Sequence, residues 1–267
     1  MNIAIIGNGL IGRQLGARLV EDGHDATALG RGDGIDTTTG EGLADALAGA
    51  DVCVDLTNSP SWADDEVLAF FTTSSRHLLD AGREAGVGHH VVLSIVGADR
   101  VPDSGYLRAK LAQEQVVQDG PLPFSIVRST QFFEFVPGIA DAGERDGQVH
   151  ATPAHLQPIA SADVVAHLAQ LVAAAPLGRT VEVAGPEPLG LDALVRRLFA
   201  ATGDPRPVVT DPQAPYFGAV LTDSMLTPTS GGDAWLAPTT YDTWLRRQGS
   251  PSRQPDVAGP TSAARRR

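Results

Sequence analysis

Apolar and polar positions alternate along this chain with two different periods. Short continuous apolar runs, ended by glycine or charged residues, read as strands covered on both faces. They are "NIAII" (2–6), "ATAL" (26–29), "DVCVDL" (51–56), "HVVLSIVGA" (90–98), "FSIVR" (124–128) and "TVEVAG" (180–185). Between them lie stretches with helical spacing: 12–23, where Leu15, Leu19 and Val20 share a face, then 41–49, 63–86, the segment "YLRAKLAQEQ", 161–175 and 190–203. Asp64, Asp65 and Glu66 open the 63–86 helix and suit its positive N-terminal end. Strands of this kind alternating with helices predict an α/β fold built on a doubly wound parallel Rossmann sheet, with its dinucleotide-binding core over about residues 1–130. Residues 131–249 mix the last sheet elements with a small second part, in which 211–235 is rich in proline, glycine and small polar residues and reads as pocket-forming loops. Residues 250–267 have almost no apolar content and are expected to be disordered.

Charge narrows the partners. The 267 residues carry a net charge of −12. Without residues 250–267, which hold four arginines and one aspartate, 16 basic residues face 31 acidic ones. So acidic a body argues against nucleic acid or an anionic membrane as partner, because phosphate contacts need a basic face. The expected partner is a small molecule. The single cysteine, Cys53, permits no internal disulfide and reads as a small buried hydrophobe. No secretory leader opens the sequence, and the apolar stretch 159–178 is broken by Asp163, His167 and Gln170, so a cytoplasmic location is expected.

Gly7, Gly9 and Gly12 stand in G-x-G-x-x-G spacing, directly after the first strand and at the opening of a helix. One such glycine allows the turn, one lets backbone approach a pyrophosphate, and one lets helix and strand pack closely. The turn residues Gly7, Asn8, Gly9, Leu10, Ile11 and Gly12 are therefore candidate dinucleotide contacts. At the end of the second strand an acid would favour NAD. Here Gly30 and Arg31 stand in that place, and a guanidinium fork suits a 2′-phosphate, so NADP(H) is expected over NAD(H). Asp33, two residues on, could still serve a 2′-hydroxyl.

Tyr106 and Lys110 are four residues apart and share a helix face. An ammonium beside the phenol would lower its pKa and make Tyr106 a proton donor and acceptor near neutral pH. The helix follows a strand whose C-terminal end should face the ligand crevice. That strand also carries Ser94, either a polar group of the site or a core serine bonded to backbone.

These residues together resemble the short-chain dehydrogenases/reductases, and more narrowly the atypical, NmrA-like branch of NAD(P)-binding Rossmann proteins. The resembling stretches are "GNGLIG", "VVLSIVGAD", "YLRAKLAQE", "FSIVRSTQFFEF" and "PIASADVV", spanning about residues 1–170. The resemblance implies that Tyr106 is the general acid/base. It implies that Lys110 binds the nicotinamide ribose and tunes Tyr106, and that Ser94 holds the substrate oxygen. Thr57 and Asn58 would lie close to the cofactor, and the segment 128–133, with Thr130 and Phe133, would wall the nicotinamide and substrate pocket. The family more often has G-x-x-G-x-x-G, and Asn8 replaces a usual threonine or alanine.

Other candidates carry less. His89 and His90 sit at the N-terminal edge of their strand and read as surface residues, His150 and His155 as loop residues, His167 as structural. No cluster has metal-ligand spacing, so no metal is expected. Among the aromatic residues, Phe133 and Tyr216 are the candidate substrate walls. The expected function is an NADP-dependent oxidoreductase of the short-chain type, acting on a small apolar carbonyl, alcohol or enone; the sequence leaves the oligomeric state open, with a homodimer the common assembly for this architecture. The alternatives are a non-catalytic NADP(H) redox sensor, and an epimerase, isomerase or cyclase that retains its cofactor.

Overall fold

A computed structural model describes residues 1–229 and 233–248; the tail expected to be disordered lies outside them. The first five apolar runs form strands β1 (Asn2–Ile6), β2 (Asp25–Leu29), β3 (Val52–Asp55), β4 (His89–Ile95) and β5 (Phe124–Ser129). With Thr180–Ala184 and Trp235–Leu236 they make one seven-stranded sheet, ordered β2-β1-β3-β4-β5 and then those two strands, every pairing parallel. The strand order reverses at β1, which pairs with both β2 and β3. That reversal opens a crevice beyond the carboxyl ends of β1 and β3, where open α/β sheets bind ligands.

Alternation along each strand decides the two faces. Ile3, Ile5, Val52, Val54, Val91 and Val127 pack with Leu15 and Leu19 of α1 (Leu10–Glu21) and Val164, Leu168 and Val172 of α6 (Ser161–Ala173). Ala4, Ile6, Cys53, Val92 and Ile126 pack on the opposite side, against Leu43 and Leu47 of α2 (Leu43–Leu47), Leu78 and Leu79 of α3 (Asp64–Ala85) and Val117 of α4 (Gly105–Gln118). The sheet is thus doubly wound, as its apolar pattern requires.

A third core holds the C-terminal part: Val136 and Ala140 of α5 (Val136–Ala142), Leu194 and Leu198 of α7 (Leu191–Thr202), and Tyr241 and Leu245 of α8 (Tyr241–Gln248). Short strands decorate this part, and Pro215–Tyr216 and Ala219–Val220 form a tight hairpin within the stretch expected to be loops. The edge strand Trp235–Leu236 also comes from that stretch. Two-residue strands have no periodicity to read.

His89 and His90 correct the surface reading. Both are buried, at 3% and 0% exposure, because β4 is an interior strand, paired with β3 over His89–Val92 and with β5 over His90–Ile95. His89 Nε2 pairs with Ser125 Oγ at 2.8 Å. Neither ring nitrogen of His90 has a hydrogen-bond partner. Cys53 is buried as expected, and burial pushes its thiol pKa up. No described helix is long and apolar enough to cross a membrane.

Candidate active site

The glycine turn begins the crevice. Gly7 has φ +125°, and a Cβ there would lie 2.5 Å from the Leu56 carbonyl oxygen, so only glycine permits the turn to touch the end of β3. α1 starts at Leu10, two residues earlier than the periodicity suggests, because Gly9 acts as its N-cap. Gly12 therefore lies inside the first turn, and a Cβ on it would stand 1.9 Å from the Gly7 carbonyl oxygen. A Cβ on Gly9 would meet nothing within 4 Å, and no side chain caps the helix. The first N–H groups of α1 thus face an open cradle that suits an anionic pyrophosphate. Arg13 Nη1 donates to the Asn8 carbonyl oxygen at 2.9 Å and steadies the turn.

The crevice has a volume of about 490 Å³ and is lined by Gly7, Asn8, Gly9, Arg31, Thr57 and Asn58 among others. A neighbouring hollow of about 330 Å³ shares Arg31 and Phe70 with it. Arg31 is exposed, and among the described residues its guanidinium makes no hydrogen bond or ion pair. Asp33 is less free: its Oδ2 accepts the Gly30 N–H at 2.9 Å. Thr57 is fixed by two hydrogen bonds to Asp55 Oδ1, from its N–H at 2.9 Å and its hydroxyl at 2.7 Å. The residues suit a dinucleotide.

Tyr106 stands in the first turn of α4, which Ser104 caps by accepting the Leu107 N–H. Its hydroxyl donates to Asn58 Oδ1 at 2.9 Å, which brings the phenol to the crevice. Burial raises its pKa, and Lys110 does not counter this, so the lowered phenol expected from the i, i+4 pairing is corrected. The reason is where Lys110 goes. Its ammonium, 3% exposed with the rest of the side chain, donates to the Leu93 carbonyl oxygen at 2.9 Å and to Gln113 Oε1, and lies 4.5 Å from the centre of the Phe71 ring. Gln113 in turn donates to Asp55 Oδ2 at 2.9 Å. Burial lowers the Lys110 pKa to about 8, against the opposing pull of Asp55 and Glu114.

Ser94 is 2% exposed and donates to Glu114, which also takes a bidentate grip from Arg128. Arg128 reaches Asp99 at 2.8 Å as well. This network joins β4, β5 and α4 beneath the site and holds the Ser94 hydroxyl inside it. Thr130 is likewise committed, its hydroxyl donating to the Gln157 carbonyl oxygen at 2.7 Å. Phe133 is 1% exposed against Tyr241 and Trp244, so it is a core residue and not the pocket wall expected from the sequence.

Tyr216, buried at 5% exposure, belongs to the core on which Tyr106 packs, and Phe217 contacts both rings. Two further rings stand beside Tyr106, neither of them a candidate singled out above. Trp62, from the loop after β3, lies 5.1 Å from Tyr106, and Phe217 lies 5.3 Å from Trp62. A lone tryptophan in the polar loop "SPSWADD" was the available signal. Phe217 is the first turn residue of the 215–220 hairpin, with φ +45°, followed by Gly218 at +82°. Tight hairpins favour positive φ at these positions but prefer Asn, Asp or Gly there. A phenylalanine so placed costs on the order of 1 kcal/mol.

A doubly wound sheet with a glycine cradle at its switch point, and a tyrosine helix beside it, defines an NAD(P)-binding Rossmann scaffold. The sequence profile described as NAD(P)H-binding matches residues 34–175, just over half of the chain. The chain belongs to this NAD(P)H-binding family. By sequence no curated protein matches it. Solved structures share the fold. A short-chain dehydrogenase/reductase superfamily protein from Agrobacterium tumefaciens with bound NAD is 20% identical, with TM-score 0.68 over 93% of this chain and 96% of that one. The dTDP-4-dehydrorhamnose reductase from Bacillus anthracis, in complex with NADP, is 16% identical, with TM-score 0.69 over 92% and 98%. MoeE5, in complex with UDP-glucose and NAD, is 19% identical, with TM-score 0.70 over 94% and 100%.

Proposed function

We propose that this chain is an NADP-dependent oxidoreductase of the short-chain type, of the NmrA-like branch, acting on a small apolar carbonyl, alcohol or enone. The observation that carries this reading is the hydrogen bond from Tyr106 to Asn58, because Asn58 lines the same crevice as Gly7, Gly9 and Arg31. In this reading the first turn of α1 holds the pyrophosphate, Arg31 selects the 2′-phosphate, and Thr57 and Asn58 pass beneath the nucleotide. Bound NADPH would supply the hydride for the substrate carbon. Tyr106 gives its proton to the carbonyl oxygen and is reprotonated from solvent, which reaches exposed Asn58. With its pKa raised by burial, the phenol is neutral, the protonation state from which it can donate. Lys110, held beneath the Phe71 ring, ties α4 to β4 through the Leu93 carbonyl oxygen, and Ser94 supports α4 through Glu114.

The test is Tyr106→Phe. Loss of NADPH consumption with carbonyl substrates, at unchanged NADPH affinity, supports the reading; full turnover in that variant refutes it. One observation favours a second reading, the redox sensor: the Lys110 and Ser94 polar groups are both spent on internal bonds. That reading requires a large difference between NADP⁺ and NADPH affinities and no functional effect of Tyr106→Phe.

A further inference from the structure

Trp62, Tyr106 and Phe217 form a triangle of rings with centroids 5.1, 5.3 and 5.9 Å apart. They come from three separate elements: the loop after β3, α4 and the tip of the 215–220 hairpin. Trp62 and Phe217 are stacked at an interplanar angle of 21°, yet they are 56% and 42% exposed. Tyr216 meets Phe217 edge-on at 4.6 Å and supports it from behind. Two stacked, half-exposed rings beside a phenol that faces the crevice offer a surface for another flat ring. Phe217 keeps its ring there despite a backbone conformation that a phenylalanine disfavours.

Charge points the same way. Arg100 donates to the Thr227 carbonyl oxygen, Arg108 is bound to Asp64, and Arg128 is divided between Glu114 and Asp99. Lys110, the chain's one lysine, is buried. These four side chains are engaged or buried, and the unpaired Arg31 lines the crevice beside the glycine turn, where the nucleotide phosphate would claim it, so a substrate diphosphate at the ring cluster would meet little cationic charge.

We propose that Trp62 and Phe217 are the specificity-determining residues of the site, an aromatic clamp that admits a planar, uncharged aromatic or conjugated carbonyl compound beside Tyr106. This inference rests on the reading of Tyr106 as the acid/base, and it sets the substrate class apart from nucleotide-diphosphate sugars.

The experiment measures dissociation constants on the full chain loaded with NADP⁺, which blocks reduction. The probes are 2-acetonaphthone, cyclohexyl methyl ketone and UDP-glucose. The flat ketone is expected to bind about tenfold more tightly than the saturated one, and UDP-glucose is expected not to displace it. Trp62→Ala and Phe217→Asn should each erase most of that preference, and Trp62→Phe should restore much of it. Asparagine suits the left-handed turn, so Phe217→Asn is expected to fold at least as well as the parent. Tyr106→Phe should keep the preference while losing turnover; if turnover survived, the acid/base reading would fall and the clamp would stand. Equal binding of the two ketones, no binding of the flat one, displacement by UDP-glucose, or an unchanged preference in both clamp variants would overturn the proposal.

Discussion

The Tyr106 hydroxyl donates to Asn58 Oδ1 at 2.9 Å, across 48 residues of sequence, and so ties the start of α4 to the loop that follows β3. The bond lies at the surface, so its worth to stability is about 1 kcal/mol at most. Its worth to a proton-transfer step is larger, because it fixes the phenol at the crevice. Asn58→Ala is expected to shift the thermal midpoint only slightly and to lower kcat/KM by about tenfold or more. Steady-state kinetics beside a melting curve checks this, and a variant with unchanged kinetics contradicts it.

Gly9 separates binding from folding. Its φ is −88° and its Cβ direction is open, so alanine fits the backbone without a clash. The added methyl group would stand in the pyrophosphate cradle. Gly9→Ala should change stability by no more than about 0.5 kcal/mol and weaken NADPH binding severely. Gly12→Ala, whose Cβ would strike the Gly7 carbonyl oxygen at 1.9 Å, should instead destabilise the whole turn.

Lys110 offers a direct spectroscopic check, since it is the one lysine in the chain. Its ammonium sits between the Leu93 carbonyl, Gln113 and the Phe71 ring, and burial brings its pKa down to about 8. A ¹³Cε resonance followed through a pH titration is expected to move with a midpoint near 8. A midpoint near the free value of about 10.4 would mean that the side chain spends its time in solvent.

The buried histidines give the fold an acid limit. Burial, reinforced by neighbouring His90, lowers the His89 pKa from 6.5 to about 4, and burial also lowers that of His90 against the opposing effect of Asp55. The unfolded chain therefore binds more protons than the folded one below about pH 6.5. Stability is full above that pH and falls as the pH drops towards 4, by up to about 1.4 kcal/mol per unit for each histidine. Urea unfolding at pH 8, 6 and 5 measures the slope. His90→Leu should flatten it, and a parent slope of zero in this window would contradict the account.

The sheet was legible because each of its first five strands is a short apolar run ended by glycine or charge, which only a two-sided sheet can bury. The cradle was legible for the same reason that it works: Gly7, Gly9 and Gly12 occupy positions where a Cβ would strike backbone or block the approach of a ligand. What escaped was orientation. Four-residue spacing puts Tyr106 and Lys110 on one helix face, but it says nothing of Gln113 and Asp55, which draw the ammonium inward. Glu114 and Arg128 likewise claim Ser94. Phe133 and Phe217 look alike in sequence, yet one closes a core against Tyr241 and the other stands at a hairpin tip. Only the tertiary arrangement separates them.

The nucleotide site itself is tested most directly by titrating the full chain, and its Arg31→Ala variant, with NADPH, NADP⁺ and NADH. The parent is expected to bind both NADP forms tightly and NADH at least about tenfold more weakly, from loss of a charge-assisted phosphate contact. Arg31→Ala is expected to remove that difference. If none of the three nucleotides bound, or if NADH bound as well as NADPH in the parent, the assignment of an NADP site to the Gly7–Arg31 crevice would be wrong.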